Sequence, residues 1–162
     1  MGAIPAAARG EGRDRMTKVD TSKLKRIRDH LIGFEPPDIC IVRFGETLTA
    51  DDGRAVYEEE LRLAKEHGDI FVLADWKRVR TITPEARKLS AEIVTPPCLL
   101  GVAGFGVSFQ ARVLATLVVS LRRLAKRPVE GHLFMGADEA EARAWIAERK
   151  RDRKLQPPRP PA

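Results

Sequence analysis

The chain has 162 residues, of which 43% are hydrophobic and 6% aromatic, and it carries a formal net charge of +6. A chain of this length can bury one hydrophobic core, so we expect one folded domain. Residues 1–30, 31–120 and 121–162 contribute +4, −3 and +5 to the net charge. The basic character therefore belongs to the two ends, which argues against a nucleic-acid-binding surface on the central body.

The two cysteines, Cys40 and Cys98, form no CxxC pair and have no histidine or cysteine at metal-ligand spacing. Each lies in or beside an apolar run, which is typical of a free, buried thiol. We therefore expect no metal, no cofactor and a reducing, cytoplasmic location. The N-terminal stretch MGAIPAAARGEGRDRM lacks the apolar core of a signal peptide.

The compositions of both ends favour disorder. Residues 1–22 are small, polar and basic, without a hydrophobic period, and Met16 is an alternative start. Residues 153–162 are rich in proline, which favours an extended tail. The sequence thus predicts a folded domain over residues 23–152.

Two strands and a helix are predicted first along the chain. The strands lie in DHLIGF and DICIVRFGETL, on either side of Pro36-Pro37. Thr49 and Asp52 have capping-box spacing and start a helix that ends near Glu66. We expect Tyr57, Leu61 and Ala64 to form its buried face, and we interpret the acidic run at 58–60 as a solvated face.

The remaining elements alternate between strand and helix. DIFVLAD (69–75) is a buried strand, and Thr83-Pro84-Glu85 is a strong helix start because threonine caps and proline fits the first turn. A strand over 98–104, a helix from Val107 to about Lys126, a strand in EGHLFM and a helix from Asp138 complete the order ββαβαβαβα. The sequence predicts an α/β fold with a mostly parallel five-stranded sheet flanked by four helices.

The stretch from Leu99 to Leu121 carries one charge, Arg112, and allows three interpretations. A dinucleotide-binding loop is disfavoured because Phe109 stands where the third glycine of G-x-G-x-x-G is required. The length suits a membrane span, but several glycines and the central Arg112 argue against it. The alternation of strands and helices on both sides favours a strand that turns at Gly104-Phe105-Gly106 into a helix.

That helix would be apolar on most of its circumference and therefore needs a second neighbour besides the sheet. The candidate interface is the stripe Leu114, Leu117, Val118 and Leu121. A symmetric dimer would cover this stripe by using one patch twice. An apolar ligand is the alternative, with an amphiphile's acyl chain on the helix and its head group near residues 75–80.

Several motifs resemble the SpoIIAA-like proteins of the STAS superfamily. They are a strand-ending Asp75, Thr83-Pro84-Glu85-Ala86-Arg87, Gly106-Val107-Ser108 and Glu141-Ala142-Arg143-Ala144-Trp145-Ile146. The resemblance covers about residues 29–149 and implies a SpoIIAA-like fold and a regulatory or binding module rather than an enzyme. In STAS anti-sigma factor antagonists a phosphorylatable serine followed by glycine matches Thr83, but Pro84 follows it here.

The candidate residues for ligand or partner binding cluster where the predicted strands end. They are Asp75, Trp76, Arg78, Arg80, Thr83 and Ser108. Ligands bind at this edge of open α/β sheets, and a hydroxyl at a helix start can receive an anion. Structural roles compete with each assignment, since Asp75 can brace its loop and Thr83 and Ser108 can cap helices.

No catalytic constellation is visible in the sequence. The three histidines, His30, His67 and His132, lie on different elements, and no nucleophile, base and oxyanion donor can be assembled. We therefore expect a non-enzymatic STAS-like module that acts through protein contacts and associates with itself through the helix 107–121. The alternative is a protein that binds or carries a lipid-like amphiphile.

Overall fold

The computed structural model describes residues 23–93, 95–108 and 133–155. The main sheet contains six strands. They are β1 (Lys25–Ile27), β2 (His30–Glu35), β3 (Ile39–Arg43), β5 (Ile70–Asp75), β7 (Leu99–Phe105) and β8 (Leu133–Gly136). A second sheet pairs the two-residue strands β4 (Thr47–Leu48) and β6 (Thr81–Ile82). The described helices are α1 (Ala50–His67), α2 (Pro84–Glu92) and α3 (Glu139–Leu155).

The strand order of the main sheet is β1-β2-β3-β5-β7-β8. Strands β1, β2 and β3 pair antiparallel, whereas β3, β5, β7 and β8 are parallel neighbours. Arg43, Asp75, Phe105 and Gly136 are Cα partners in one row across these parallel strands. This row is the C-terminal edge of the sheet, from which the loops after β3, β5 and β7 depart.

The sheet is buried on both faces because a helix packs on each side. The first core lies under α1 and consists of Ile32, Cys40, Val42, Val56, Leu63, Ala64, Ile70, Val72 and Leu99. The second lies under α3 and consists of Ile39, Ile41, Phe71, Leu73, Ala103, Phe105, Ala142 and Ile146. Successive residues of β3 and β5 alternate between the two cores, which explains why both strands are almost continuously hydrophobic.

The helices begin at the residues that the sequence indicates. Thr49 forms a reciprocal capping box with Asp52 at the start of α1. The Thr83 hydroxyl accepts a hydrogen bond from the backbone N–H of Ala86 at 3.2 Å at the start of α2. Strands β4 and β6 run in parallel directly into these two caps, so the N-termini of α1 and α2 lie side by side.

The α/β class is confirmed, but the predicted five-stranded, mostly parallel sheet is wrong in its details. The main sheet has six strands and is mixed. Strand β1 was missed because its sequence, Lys-Arg-Ile, is too short and too charged to show a strand pattern. Strands β4 and β6 were missed because a two-residue strand has no periodicity of its own.

The described residues contain three of the four predicted helices. The fourth, from Val107 to about Lys126, lies almost wholly outside them. Val107 and Ser108 are described and are not helical, so a helix starting at Val107 is wrong. The preceding strand, Leu99–Phe105, is confirmed, and its exit at Gly106 has a φ of 72°, a conformation that favours glycine. No helix in the described ranges is both long and apolar enough to cross a membrane.

Strand β1 is held against α1 by two ion pairs that involve buried carboxylates. Lys25 Nζ lies 2.8 Å from Glu59, and Arg28 Nη1 lies 2.8 Å from Asp52. Glu59 is only 7% exposed, so the interpretation of residues 58–60 as a solvated face is wrong at its centre. Helix periodicity alone did not identify this acid as buried, because its partner Lys25 lies 34 residues away.

The α1 face also differs from the predicted stripe. Ala64 is buried as expected, but Val56 and Leu63 occupy the core, and Tyr57 and Leu61 are half-buried. At the other end of the chain, α3 continues to Leu155, past the expected domain boundary at 152. Arg153 on its last turn lies 3.2 Å from Asp69, the residue before β5.

Candidate functional site

The end of β5 and the loop that follows it carry four of the six candidate binding residues. We call residues 76–80 the basic loop; it leaves the sheet next to β7 and leads into β6. The backbone N–H of Trp76 donates to the Phe105 carbonyl at 3.0 Å, and that of Val79 donates to the Trp76 carbonyl at 3.0 Å. The Arg80 N–H donates to the Glu46 carbonyl at 2.9 Å. The loop is therefore a hydrogen-bonded turn anchored to strands on both sides.

Asp75 ends β5 and braces this turn. Its Oδ1 accepts a hydrogen bond from the backbone N–H of Lys77 at 3.0 Å, and its carbonyl accepts one from Phe44 N–H at 3.0 Å. This carboxylate holds its own loop, which is the structural role that competes with ligand binding in the sequence. In the described structure Asp75 Oδ1 is engaged in the hydrogen bond from Lys77.

Trp76 is built into the edge of the sheet. Its indole packs against the Phe44 ring with the ring centres 4.3 Å apart. The Nε1 atom is buried and has no hydrogen-bond partner among the described residues. A Cβ added at Gly104 would lie 3.1 Å from this nitrogen and would collide with the Met135 sulfur, so glycine is what lets both side chains approach β7.

The three cations of the basic loop, Lys77, Arg78 and Arg80, are exposed. The Lys77 ammonium lies 5.2 Å from the centre of the Phe105 ring. Arg78 lies 3.8 Å from Asp29, and its side chain is 62% exposed, so the pair is weak. Lys77 was not among the predicted site residues. Its position in the sequence between Trp76 and Arg78, which are both predicted binding residues, indicates that it belongs with them.

Thr83 and Ser108 are the other two candidates. Thr83 follows β6 directly, and its N–H donates to the Leu48 carbonyl at 3.0 Å. Its hydroxyl acts as the N-cap of α2, which is the structural role expected of it. Ser108 is exposed and lies two residues after Gly106, beyond the end of the neighbouring strand β7. The structure thus brings Asp75, the basic loop and Ser108 to one edge.

The predicted interface residues, Leu114, Leu117, Val118 and Leu121, lie outside the described residues. So does His132. The interface therefore stays a prediction based on the sequence.

His30 and Asp52 form a buried polar cluster that the sequence did not single out. His30 is 1% exposed; its Nδ1 accepts the Gly45 N–H at 2.9 Å, and its Nε2 lies 3.5 Å from Asp52 Oδ2. Burial opposes ionisation of Asp52, but hydrogen bonds from Thr49, Arg28 and His30 outweigh it and lower the Asp52 pKa to about 2. Both imidazole nitrogens face polar groups of the fold, so this histidine is structural.

The pKa values of two neighbouring acids of α1, Glu59 and Glu60, are shifted in opposite directions. Hydrogen bonds from Arg62 and Lys25 lower the pKa of Glu59 despite its burial. Burial without a cation raises the pKa of Glu60 to about 8. Burial also raises the pKa of the Cys40 thiol, and the charges of Glu60 and Glu59 add to the effect. Cys40 is buried and Cys98 half-buried, and both are free thiols, as expected.

No group of three histidine, cysteine or acidic side chains in the described ranges is arranged to hold a metal ion. At the C-terminal edge of the sheet, the exposed charged side chains of the basic loop are the cations Lys77, Arg78 and Arg80. The two polar groups best placed for chemistry, the Asp75 carboxylate and the Thr83 hydroxyl, already bind backbone N–H groups.

No protein-family model and no curated protein matches this chain. Among solved structures it is similar to an uncharacterized protein of the DUF3478 family with a SpoIIAA-like fold from Shewanella loihica PV-4. The identity is 18% and the TM-score 0.47, and the match covers 75% of this chain and 97% of that one. It is also similar to the anti-sigma factor antagonist SpoIIAA in its unphosphorylated form, at 12% identity and a TM-score of 0.41, over 73% of this chain and 97% of that one. Both similarities are to SpoIIAA or a protein with a SpoIIAA-like fold, the group that the sequence motifs of this chain resemble.

Proposed function

We propose that this protein is a non-enzymatic regulatory module that acts by binding other proteins. The observation that carries the proposal is the construction of the C-terminal edge. The loop is fixed by backbone hydrogen bonds, and the carboxylate and hydroxyl beside it are engaged in bracing and capping. A braced loop with exposed cations suits recognition, whereas acid–base catalysis needs a titratable group that can reach a substrate.

The motif resemblance supports the same proposal. Asp75 and the segment Thr83-Pro84-Glu85 occupy the strand end and the helix start in the structure, as the SpoIIAA-like pattern requires. We place the protein in the cytoplasm because Cys40 and Cys98 are free thiols. Phosphorylation of Thr83 stays a prediction. It competes with the role of the Thr83 hydroxyl as the helix cap of α2.

Self-association through the apolar stripe Leu114, Leu117, Val118 and Leu121 is the finer part of the proposal. The apolar stripe in the sequence supports it, because such a stripe gains free energy when it is covered. The amphiphile-binding alternative depends on the same stripe. No contact of the described residues favours it over a protein partner.

Analytical ultracentrifugation of the purified chain tests self-association. We expect a dimer for the wild type and a folded monomer for Leu117→Glu. The control is Ala140→Glu, which adds the same charge at an exposed position of α3 and should stay dimeric. A monomeric wild type would contradict self-association, and co-purified lipid in native mass spectrometry would favour the amphiphile alternative.

A further inference from the structure

The pattern Lys-Arg-aliphatic-Arg occurs twice in the chain, as KRIR at residues 25–28 and as KRVR at residues 77–80. The two copies have opposite surroundings. In the first copy Lys25 and Arg28 each lie 2.8 Å from a buried carboxylate of α1. In the second copy, Arg78 makes the only ion pair that the described residues provide, and its nitrogen lies 3.8 Å from Asp29. Two of the three cations in the first copy are therefore paired at short distance with buried carboxylates, whereas the second copy has one long ion pair to an exposed acid.

The second set is nevertheless held in place. The Trp76–Val79 turn is closed by a hydrogen bond, and Glu46 accepts hydrogen bonds from both Arg80 and Thr81 at 2.9 and 3.1 Å. The Lys77 stem packs so closely on Gly106 that a Cβ there would collide with it. A loop whose backbone and Lys77 stem are already held in place loses less conformational entropy when an anionic partner binds.

We propose that the basic loop binds an acidic peptide segment of a partner protein. The inference rests on the proposed function and names the chemistry of its partner. The loop is exposed, so water would screen a single small anion and leave it with little net binding free energy. A segment with several carboxylates would contact Lys77, Arg78 and Arg80 together. Exposed charges of this kind determine the association rate and the choice of partner.

The apolar neighbours of the loop fit the same occupant. Val79 lies between Arg78 and Arg80 in the chain, Val107 follows Gly106, on which the Lys77 stem packs, and both valines are half-buried. A protein segment can place aliphatic side chains against such positions while its carboxylates contact the cations. The acidic side chains beside the loop are already engaged, since Asp75 accepts the Lys77 N–H and Asp29 accepts the Glu46 N–H and lies 3.8 Å from Arg78. Carboxylates that contact all three cations would therefore be supplied by another molecule.

Fluorescence anisotropy with a labelled poly-glutamate peptide tests the inference on the full chain. We expect saturable binding that weakens with salt, and no binding of the matching poly-glutamine peptide. The variant Lys77→Glu/Arg80→Glu should bind roughly tenfold more weakly or not at all. The control Arg151→Glu/Lys154→Glu makes the same charge change at exposed positions of α3 and should bind as the wild type does. If the double variant unfolds, Arg80→Glu alone carries the test, with a smaller loss in the same direction.

Three outcomes would overturn the inference: no binding by the wild type, equal losses in the loop and control variants, or binding of a labelled oligonucleotide at the loop in place of the peptide. The failure of the proposed function is separate. A dimer that persists in ultracentrifugation while the peptide fails to bind would reject the acidic partner and leave the interaction module intact.

Discussion

The two copies of Lys-Arg-aliphatic-Arg show how one sequence pattern serves two purposes. Residues 25–28 form a strand and a turn that lie along α1, and their cations cover the carboxylates of Asp52 and Glu59. Residues 77–80 form a hydrogen-bonded turn whose cations point into solvent. The difference lies in what the topology places opposite the cations. Stability should therefore depend on the first copy, and binding on the second.

The largest expected effect is at Asp52. Asp52→Ala removes the side-chain half of the capping box with Thr49 and leaves His30 and Arg28 without their carboxylate, so we expect a loss of about 3 kcal/mol in the free energy of unfolding. Urea denaturation measures it. Asp51→Ala, one residue away and exposed, is the control and should cost less than about 0.5 kcal/mol. Equal losses at the two positions would contradict the buried cluster.

The same carboxylate should make stability depend on acid pH. The folded-state pKa of Asp52 is about 2 and its ordinary value is 3.8. A lowered pKa stabilises the fold above the ordinary value, and this contribution is lost as the pH falls from about 4 to about 2. The difference corresponds to roughly 2.5 kcal/mol. Denaturation curves across this range should slope steeply for the wild type and less for Asp52→Asn; parallel slopes would show that other groups dominate.

Glu59 should matter less than Asp52, because its partners Lys25 and Arg62 are themselves half in water. We expect Glu59→Ala to cost about 1.5 kcal/mol through lost packing and lost ion pairs. Glu58→Ala, at the exposed neighbouring position, should be nearly neutral. If the two substitutions gave the same result in urea, β1 would not depend on its ionic contact with α1.

Substitution of Thr83 should change the free energy of unfolding by an intermediate amount, since Thr83 caps α2 just after the basic loop. Thr83→Ala should cost about 1 kcal/mol, whereas Thr83→Ser and Thr83→Asp should retain the cap and most of the stability. Thermal denaturation distinguishes them. An altered partner affinity in Thr83→Asp at unchanged stability would favour the phosphoacceptor role instead.

The smallest effect is expected at Arg80, the counterpart of Arg28 in the second copy. Arg80→Ala should change the free energy of unfolding by less than about 0.5 kcal/mol, because no described residue pairs with its side chain. Arg28→Ala should cost about 1 kcal/mol, because it uncovers Asp52. Calorimetry on the two variants compares the copies position by position. A larger loss at Arg80 would mean that the basic loop is part of the stabilising structure.

The sequence was sufficient for the parts of the fold that depend on local patterns. Thr49 and Thr83 mark helix starts, and the continuous apolar runs at 70–75 and 99–105 mark strands buried on both faces. Asp75 and the loop after it lie at the edge where the parallel strands end, as the strand direction alone predicts. These features need only neighbours within a few residues or the general rule for α/β connections.

The features that failed depend on distant partners. The Lys-Arg-Ile strand is recognisable only once β2 pairs with it, and Glu59 is buried where β1 brings Lys25 against α1. The contacts of Lys77 with Gly106 and Phe105 could not be predicted, because these two residues belong to β7 and the segment after it. The acidic run 58–60 shows most clearly that residue type alone does not predict burial. Glu58 is exposed, Glu59 is buried and Glu60 is half-buried.

The attachment of α3 has a consequence for synthesis of the chain. Arg143 binds Glu35 through two hydrogen bonds of 2.8 and 2.9 Å, and Lys150 binds Asp38. Both acidic residues precede their partners in the chain by more than 100 positions, at separations of 108 and 112. While the chain is still emerging from the ribosome, the face of β3 and β5 that carries Ile41 and Leu73 lacks the cover that Ala142 and Ile146 of α3 provide. Domains with such late long-range closure expose apolar surface until the last element is made. A nascent chain that stalls before α3 is therefore expected to be a client for chaperones, and the C-terminal helix is the element whose arrival ends that dependence.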